Sequence, residues 1–151
     1  MLQLARREDH FVIESLSQHL HCLRVSWRPD LYKYVEQLYT TECFDELVSK
    51  KQLYVAKIGN NVVGYVRILF HHQDVPGTVN RKIAVLEEIV VCADYRNMGL
   101  GTQMMDDVKA LAKAFGCNAM HLGVYPQNDE AVAFFQKNGL TIRSIEMQMS
   151  L

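Results

Sequence analysis

The chain has 151 residues, 49% of them hydrophobic and 22% charged, which suits a soluble globular protein with a substantial core. Its 16 basic and 17 acidic residues leave a formal net charge of −1, so there is no general electrostatic case for nucleic acid or an anionic membrane as partner. The four cysteines, Cys22, Cys43, Cys92 and Cys117, are far apart and form no CxxC pair. Reduced, buried thiols are therefore expected rather than a zinc site or a disulfide framework. The first ten residues carry charges of both signs without a signal-peptide core, and no run approaches the roughly 18 apolar residues of a membrane span. The chain reads as cytoplasmic.

Leu2 and Leu4 alternate with polar neighbours as a short strand, and Asp9 can cap a helix after it. Val12, Leu16, Leu20 and Leu23, spaced four, four and three apart, predict the buried stripe of that helix. His10, His19 and His21 fall in or near it, but no cysteine or carboxylate completes a ligand set, so they read as ordinary surface or partly buried histidines. Trp27-Arg28-Pro29-Asp30 breaks the pattern, and a second helical region is expected over residues 31–50, interrupted near Thr40 and Thr41. Trp27, Tyr32, Tyr34 and Tyr39 make this stretch aromatic, either as packing or as walls of a substrate pocket. Residues 53–58 and 62–70 read as strands joined by a tight Gly59-Asn60-Asn61 turn. The following stretch, residues 71–77, reads as a solvated loop, its His71-His72-x-Asp74 cluster lacking anything that fixes a metal geometry.

Residues 83–91 form the central strand. If it is regular, Ile83, Val85, Glu87, Ile89 and Val91 share one face, and Ala84, Leu86, Glu88 and Val90 the other. Two adjacent acids in an apolar strand are costly to bury unpaired, so at least one must meet solvent, a cation or a substrate amine. Arg96-Asn97-Met98-Gly99-Leu100-Gly101 then leads into an amphipathic helix with Leu100, Met104, Val108, Leu111 and Phe115 on its apolar face and a stop at Gly116. The unpaired N–H groups of the first turn, the helix dipole and Arg96 together suit an anion, in particular a pyrophosphate. No Lys-Ser/Thr follows the last glycine and the loop is not GxGxxG, which argues against a nucleotide-binding P-loop or dinucleotide fold. Met120, Leu122 and Val124 alternate as a further strand. Asn128 then caps a helix that carries Ala131, Phe134 and Phe135 and closes at Asn138-Gly139. Leu140, Ile142, Ile145, Met147, Met149 and Leu151 predict terminal strands with a hairpin about Arg143-Ser144. No repeat or linker interrupts the chain, so residues 1–151 read as one domain.

Arg96-x-x-Gly99-x-Gly101 after an apolar strand resembles the acyl-CoA-binding motif of the GNAT superfamily of N-acetyltransferases. Asn128-x-x-Ala131-x-x-Phe134-Phe135-x-x-x-Gly139-Leu140 is similar to the family's later Asn…Ala…Phe-Tyr…Gly-Phe segment, and the order of elements agrees. The resemblance implies a mixed α/β (α+β) fold: a central, mostly antiparallel β-sheet splayed in a V beside a bulge and flanked by helices, with acetyl-CoA in the gap. By position it implies that Ile89, Val90 and Val91 present backbone groups to the thioester and pantetheine arm. Arg96, Asn97, Met98, Gly99, Leu100, Gly101 and Thr102 would hold the pyrophosphate, mainly through amides. Asn128 would contact the pantetheine arm, and Ala131 and Phe134 would line the cofactor's other side.

Glu88 stands where the histone acetyltransferase branch carries its general-base glutamate, with Glu87 as the fallback because a bulge changes which face a residue joins. Where many members keep a tyrosine as general acid this chain has Phe135, which cannot donate a proton; Tyr125 at the neighbouring strand end, or water, is the substitute. The resemblance thus implies a metal-free, acetyl-CoA-dependent N-acetyltransferase that acts directly on a primary amine of a small molecule, peptide or protein. Phe135 leaves a non-catalytic acyl-CoA-binding or regulatory module as the alternative. The resemblance also implies a homodimer.

Overall fold

Residues 2–151 are described by a computed structural model of the chain. In chain order they form β1 (Leu2–Leu4), α1 (His10–Trp27), α2 (Thr41–Ser49), β2 (Leu53–Ile58), β3 (Asn61–Gln73), β4 (Arg81–Val91), α3 (Leu100–Ala114), β5 (Ala119–His121) and α4 (Asp129–Lys137), with 3-10 turns at Arg7–Asp9 and Ala93–Tyr95. The strands lie in the order β1-β2-β3-β4-β5, antiparallel throughout except that β5 runs parallel to β4. One face of this sheet packs on α3 through Ala56, Val66, Ile68, Ala84, Leu86, Met104 and Val108. The other packs on α1 and α2 through Ile13, Phe44, Leu47, Leu53, Val55 and Tyr65.

Two departures from regularity shape the centre of the sheet. Glu88 pairs with Arg67 but Leu86 pairs with Ile68, so Glu87 is an extra residue in β4. That bulge overturns the uniform alternation expected for residues 83–91. Ala84 and Leu86 lie on the α3 side together with Ile89 and Val91, while Val90 joins the core on the α1 side. Glu87 is exposed and Glu88 buried. The second departure is between β4 and β5, which pair only at Ile83–Ala119, Ala84–Met120 and Val85–His121. Beyond those three positions the strands separate, and the edge of β4 over residues 86–91 has no β5 partner. The sheet therefore opens as a V, and Leu122 and Val124, expected in the strand, fall past its end.

Residues 31–39, expected to be helical, are not. Side chains of α1 take the backbone groups that a helix would have used. The Glu14 carboxylate accepts from the N–H of Leu38 and of Tyr39, Gln18 donates to the carbonyls of Val35 and Glu36, and the rings of His10 and His21 bond the carbonyls of Tyr39 and Lys33. Regular structure resumes where Thr40 caps α2 by accepting from the N–H of Cys43. The buried stripe of α1 is Ile13, Ser17 and His21, flanked by Leu16 and Leu20, and Leu23 is exposed. Asp9 makes no cap bond; its carboxylate accepts from the Arg6 N–H and pairs with Lys57 at 2.7 Å.

The β3 strand continues through His71 and His72, and β4 starts at Arg81, so the loop between them is residues 74–80. Of the four free cysteines, Cys22 is exposed and the others half-buried, which corrects the expectation of buried thiols. The terminal residues 141–151 form no strand. No helix among the described residues is long and apolar enough to cross a membrane.

Candidate active site

The loop after β4 delivers an open helix end. Asn97 at φ 60° and Gly99 at φ 80° turn the chain, and Gly99 occupies the N-cap of α3 in the left-handed conformation that favours glycine. Leu100, buried at 7% exposure, anchors the first turn in the core. Gly99 has no side chain to cap that turn, and the first bond back to it comes from the N–H of Gln103 at 3.1 Å. By helix geometry the amides of Leu100, Gly101 and Thr102 point outward without intrahelical acceptors, at the positive end of the dipole.

A Cβ at Gly99 would meet nothing within 4 Å, so the space in front of this turn is open. At Gly101 a Cβ would stand 3.1 Å from the Phe134 ring; here glycine lets α4 approach the start of α3. Arg96 is exposed and its Nε donates to the Val91 carbonyl at 3.1 Å, tying the loop to the end of β4. Met98 and Thr102 are also exposed. Open amides, a cationic side chain and the unpaired β4 edge beside them fit a phosphate-bearing ligand with an extended arm.

The opposite wall comes from the 125–137 segment. Asn128 caps α4 as expected, its Oδ1 accepting from the Ala131 N–H at 3.3 Å. Ala131 and Phe134 are half-buried, and Phe135 packs against the α3 core. Tyr125 shares a hydrogen bond with the Tyr32 hydroxyl at 2.7 Å, and the Arg28 guanidinium lies over its ring at 5.9 Å. The bond to Tyr32, and then burial, raise the Tyr125 phenol above its ordinary value, so it stays protonated and able to donate.

Glu88 is brought into a network built from three other segments. Arg24 of α1 donates to Oε1 at 2.9 Å as an ion pair, and the hydroxyls of Tyr39 and Tyr65 donate to Oε2 at 2.9 and 2.6 Å. Burial first, and then the Glu88 charge, push both phenols up. A carboxylate offers about four acceptor positions, so three donors leave one for an amine or a water. Arg67, opposite Glu88 on β3, adds its charge beside Tyr39 and Glu88 and keeps its Nε buried without a hydrogen-bond partner among the described residues. Sequence reasoning missed Arg24, Tyr65 and Arg67. Pairing β3 with β4 in register would have set Arg67 opposite Glu88 and Tyr65 two residues away; no pattern marks Arg24.

A bulged central strand, a diverging parallel neighbour and an uncapped helix end opposite the gap define the GNAT type of acetyltransferase fold. The model of the Acetyltransferase (GNAT) family matches residues 14–140, and the chain belongs to that family. It is 33% identical over 81 residues to an aminoglycoside N(6')-acetyltransferase type 1 from Acinetobacter genomosp. 13, a match covering 44% of this chain and 56% of that protein. Among solved structures, a tetramutant of the BH1408 protein from Bacillus halodurans has a TM-score of 0.93 at 21% identity, over 100% of this chain and 99% of that one. The aminoglycoside N-acetyltransferase AAC(6')-Iy in complex with CoA has a TM-score of 0.69 at 16% identity, with all of both chains covered.

Proposed function

We propose that the chain is an acetyl-CoA-dependent N-acetyltransferase that moves the acetyl group directly to a primary amine of a small molecule, peptide or protein. The observation that carries this reading is the uncapped start of α3 lying beside the unpaired β4 edge, with a single buried carboxylate, Glu88, on the same strand. Acetyl-CoA supplies the activated acyl thioester. The amides of Leu100, Gly101 and Thr102, with Arg96, hold the pyrophosphate, and Asn97, Met98 and Gly99 shape the turn. The backbone of Ile89, Val90 and Val91 pairs with the pantetheine arm, and Asn128, Ala131 and Phe134 line its other side. Glu88 takes the proton of the attacking amine at its remaining acceptor position, directly or through a water. Tyr125, kept neutral, returns a proton to the departing thiolate.

The aminoglycoside-acetylating relatives support a small polyamine-like acceptor as the first to try. The same reading takes residues 1–151 as one domain acting in the cytoplasm as a homodimer, with no metal and no nucleic-acid or membrane partner, in keeping with the −1 net charge. Phe135, which has no hydroxyl, favours a second reading, an acyl-CoA-binding module without turnover.

Isothermal titration with acetyl-CoA, followed by thiol release across a panel of aminoglycosides, polyamines and peptides, separates these readings. Binding with acceptor-dependent thiol release is expected. Binding without release for any amine supports the module, and absence of acetyl-CoA binding overturns both.

A further inference from the structure

The last turn of α1 touches both walls of the V. Nη1 of Arg24 donates to Glu88 on β4 at 2.9 Å, while the guanidinium of Arg28, at the helix C-cap, lies 5.9 Å from the ring centre of Tyr125. The Arg28 N–H bonds the Arg24 carbonyl at 2.8 Å, so the two side chains leave α1 one turn apart.

Both arginines have donors to spare. Arg24 uses Nη1 alone; its Nε and Nη2 have no partner among the described residues and are not sealed from solvent. Asp30 accepts from Nε and Nη2 of Arg28, and Gln148 from Nη2, which leaves Nη1. The two side chains are 25% and 23% exposed, so a ligand can reach them. Of the acids at this place, Glu88 is the partner of Arg24, Asp30 is already paired with Arg28, and Glu87 is exposed at the bulge. Guanidinium edges with unused N–H groups are carboxylate-binding surfaces.

We propose that the acceptor is a free α-amino acid, its amine on the remaining acceptor position of Glu88 and its carboxylate on the unused N–H groups of Arg24 and Arg28. An amine and a carboxylate on one carbon are the reversed copy of the Arg24–Glu88 pair, so each ligand charge meets its opposite. A polyamine would set further ammonium groups against the two arginines, and a peptide N-terminus has an uncharged carbonyl where the carboxylate belongs. The ammonium gives one proton through Glu88 to solvent. The neutral amine then forms the N–C bond as the C–S bond breaks, and loses its second proton by the same route. Tyr125 protonates the thiolate and recovers its own proton from solvent. The products are the N-acetyl amino acid, CoA and one proton. This inference rests on the direct transfer in the proposed function and narrows its acceptor.

Thiol release from acetyl-CoA, measured with free amino acids, their amides and spermidine, tests it. For the best amino acid, kcat/KM should exceed that of its amide by about tenfold or more, the worth of one hydrogen bond between charged groups. Arg28→Met, with acetyl-CoA titration to show that it folds, should raise KM for the amino acid and bring its kcat/KM close to that of the amide. Arg28→Lys, which keeps the charge, should recover part of the difference. Amides or spermidine turned over as well as free amino acids would overturn the inference alone, as would an Arg28→Met variant with the parent's ratio. Absence of thiol release with every amine would overturn the direct transfer as well.

Discussion

The two halves of the candidate site are made from different parts of the polypeptide. At the start of α3 the groups are backbone amides, presented by a turn that a few consecutive residues shape: Asn97 and Gly99 at positive φ, and Leu100 set in the core. Around Glu88 the groups are side chains, and Arg24, Tyr39 and Tyr65 reach it from 64, 49 and 23 residues away. A site of backbone amides depends on local geometry. A network of distant side chains is tied to the packing of α1 and of the loop before α2, because a buried carboxylate stripped of its donors is costly. The first half should therefore fail in ligand affinity, and the second in rate and stability together.

The sharpest separation should come from Glu88→Gln. Acetyl transfer is expected to fall about 10²–10⁴-fold while the acetyl-CoA dissociation constant stays near that of the parent. An unchanged rate would remove Glu88 from the base role. Arg24→Met deletes the charged donor and should lower stability in urea by about 1.5 kcal/mol, the low end for such a bond because the Arg24 side chain is 25% exposed. No measurable loss would show that solvent replaces the arginine.

On the other side of the comparison, Gly99→Val places a β-branched residue at φ 80° and crowds the open amides. Acetyl-CoA binding should weaken about tenfold, or about 1.4 kcal/mol; an unchanged dissociation constant counts against the pyrophosphate at this turn. A further effect is confined to alkaline pH. Tyr39 and Tyr65 have raised pKa values in the folded state, so their contribution to stability is complete below the unfolded value near 10 and is lost as pH rises above it. Unfolding free energy should drop there by about 1.4 kcal/mol per pH unit for each phenol, and Tyr65→Phe should make the slope shallower by that amount. Equal slopes in the two proteins would sever the link between these phenols and alkaline stability.

What could be read without coordinates follows the same division. The strand–turn–helix around Gly99, the Asn128 cap and the stops at Gly116 and Gly139 depend on backbone conformations that particular residue types favour, so adjacent letters carry them. Residues 31–39 carry a helical pattern yet stay irregular because Glu14, Gln18, His10 and His21 bind their backbone from another element, and local propensity holds no trace of that. Glu88 stands out in the sequence as a costly acid in an apolar strand, but its three donors do not, since only the β3–β4 register and the packing of α1 bring them together.

By itself, then, the order of residues determined the elements with strong punctuation and the turn that faces the gap. Tertiary structure alone decided where β4 bulges, how far β5 follows it, and that Gly101 is small for the sake of Phe134. It also decided that a strand-patterned terminus finds no ladder within its own chain. The reason is physical: a turn is settled by the conformations its own residues can adopt, whereas a ladder, a bulge or a buried charge network is settled by partners that only folding brings within reach.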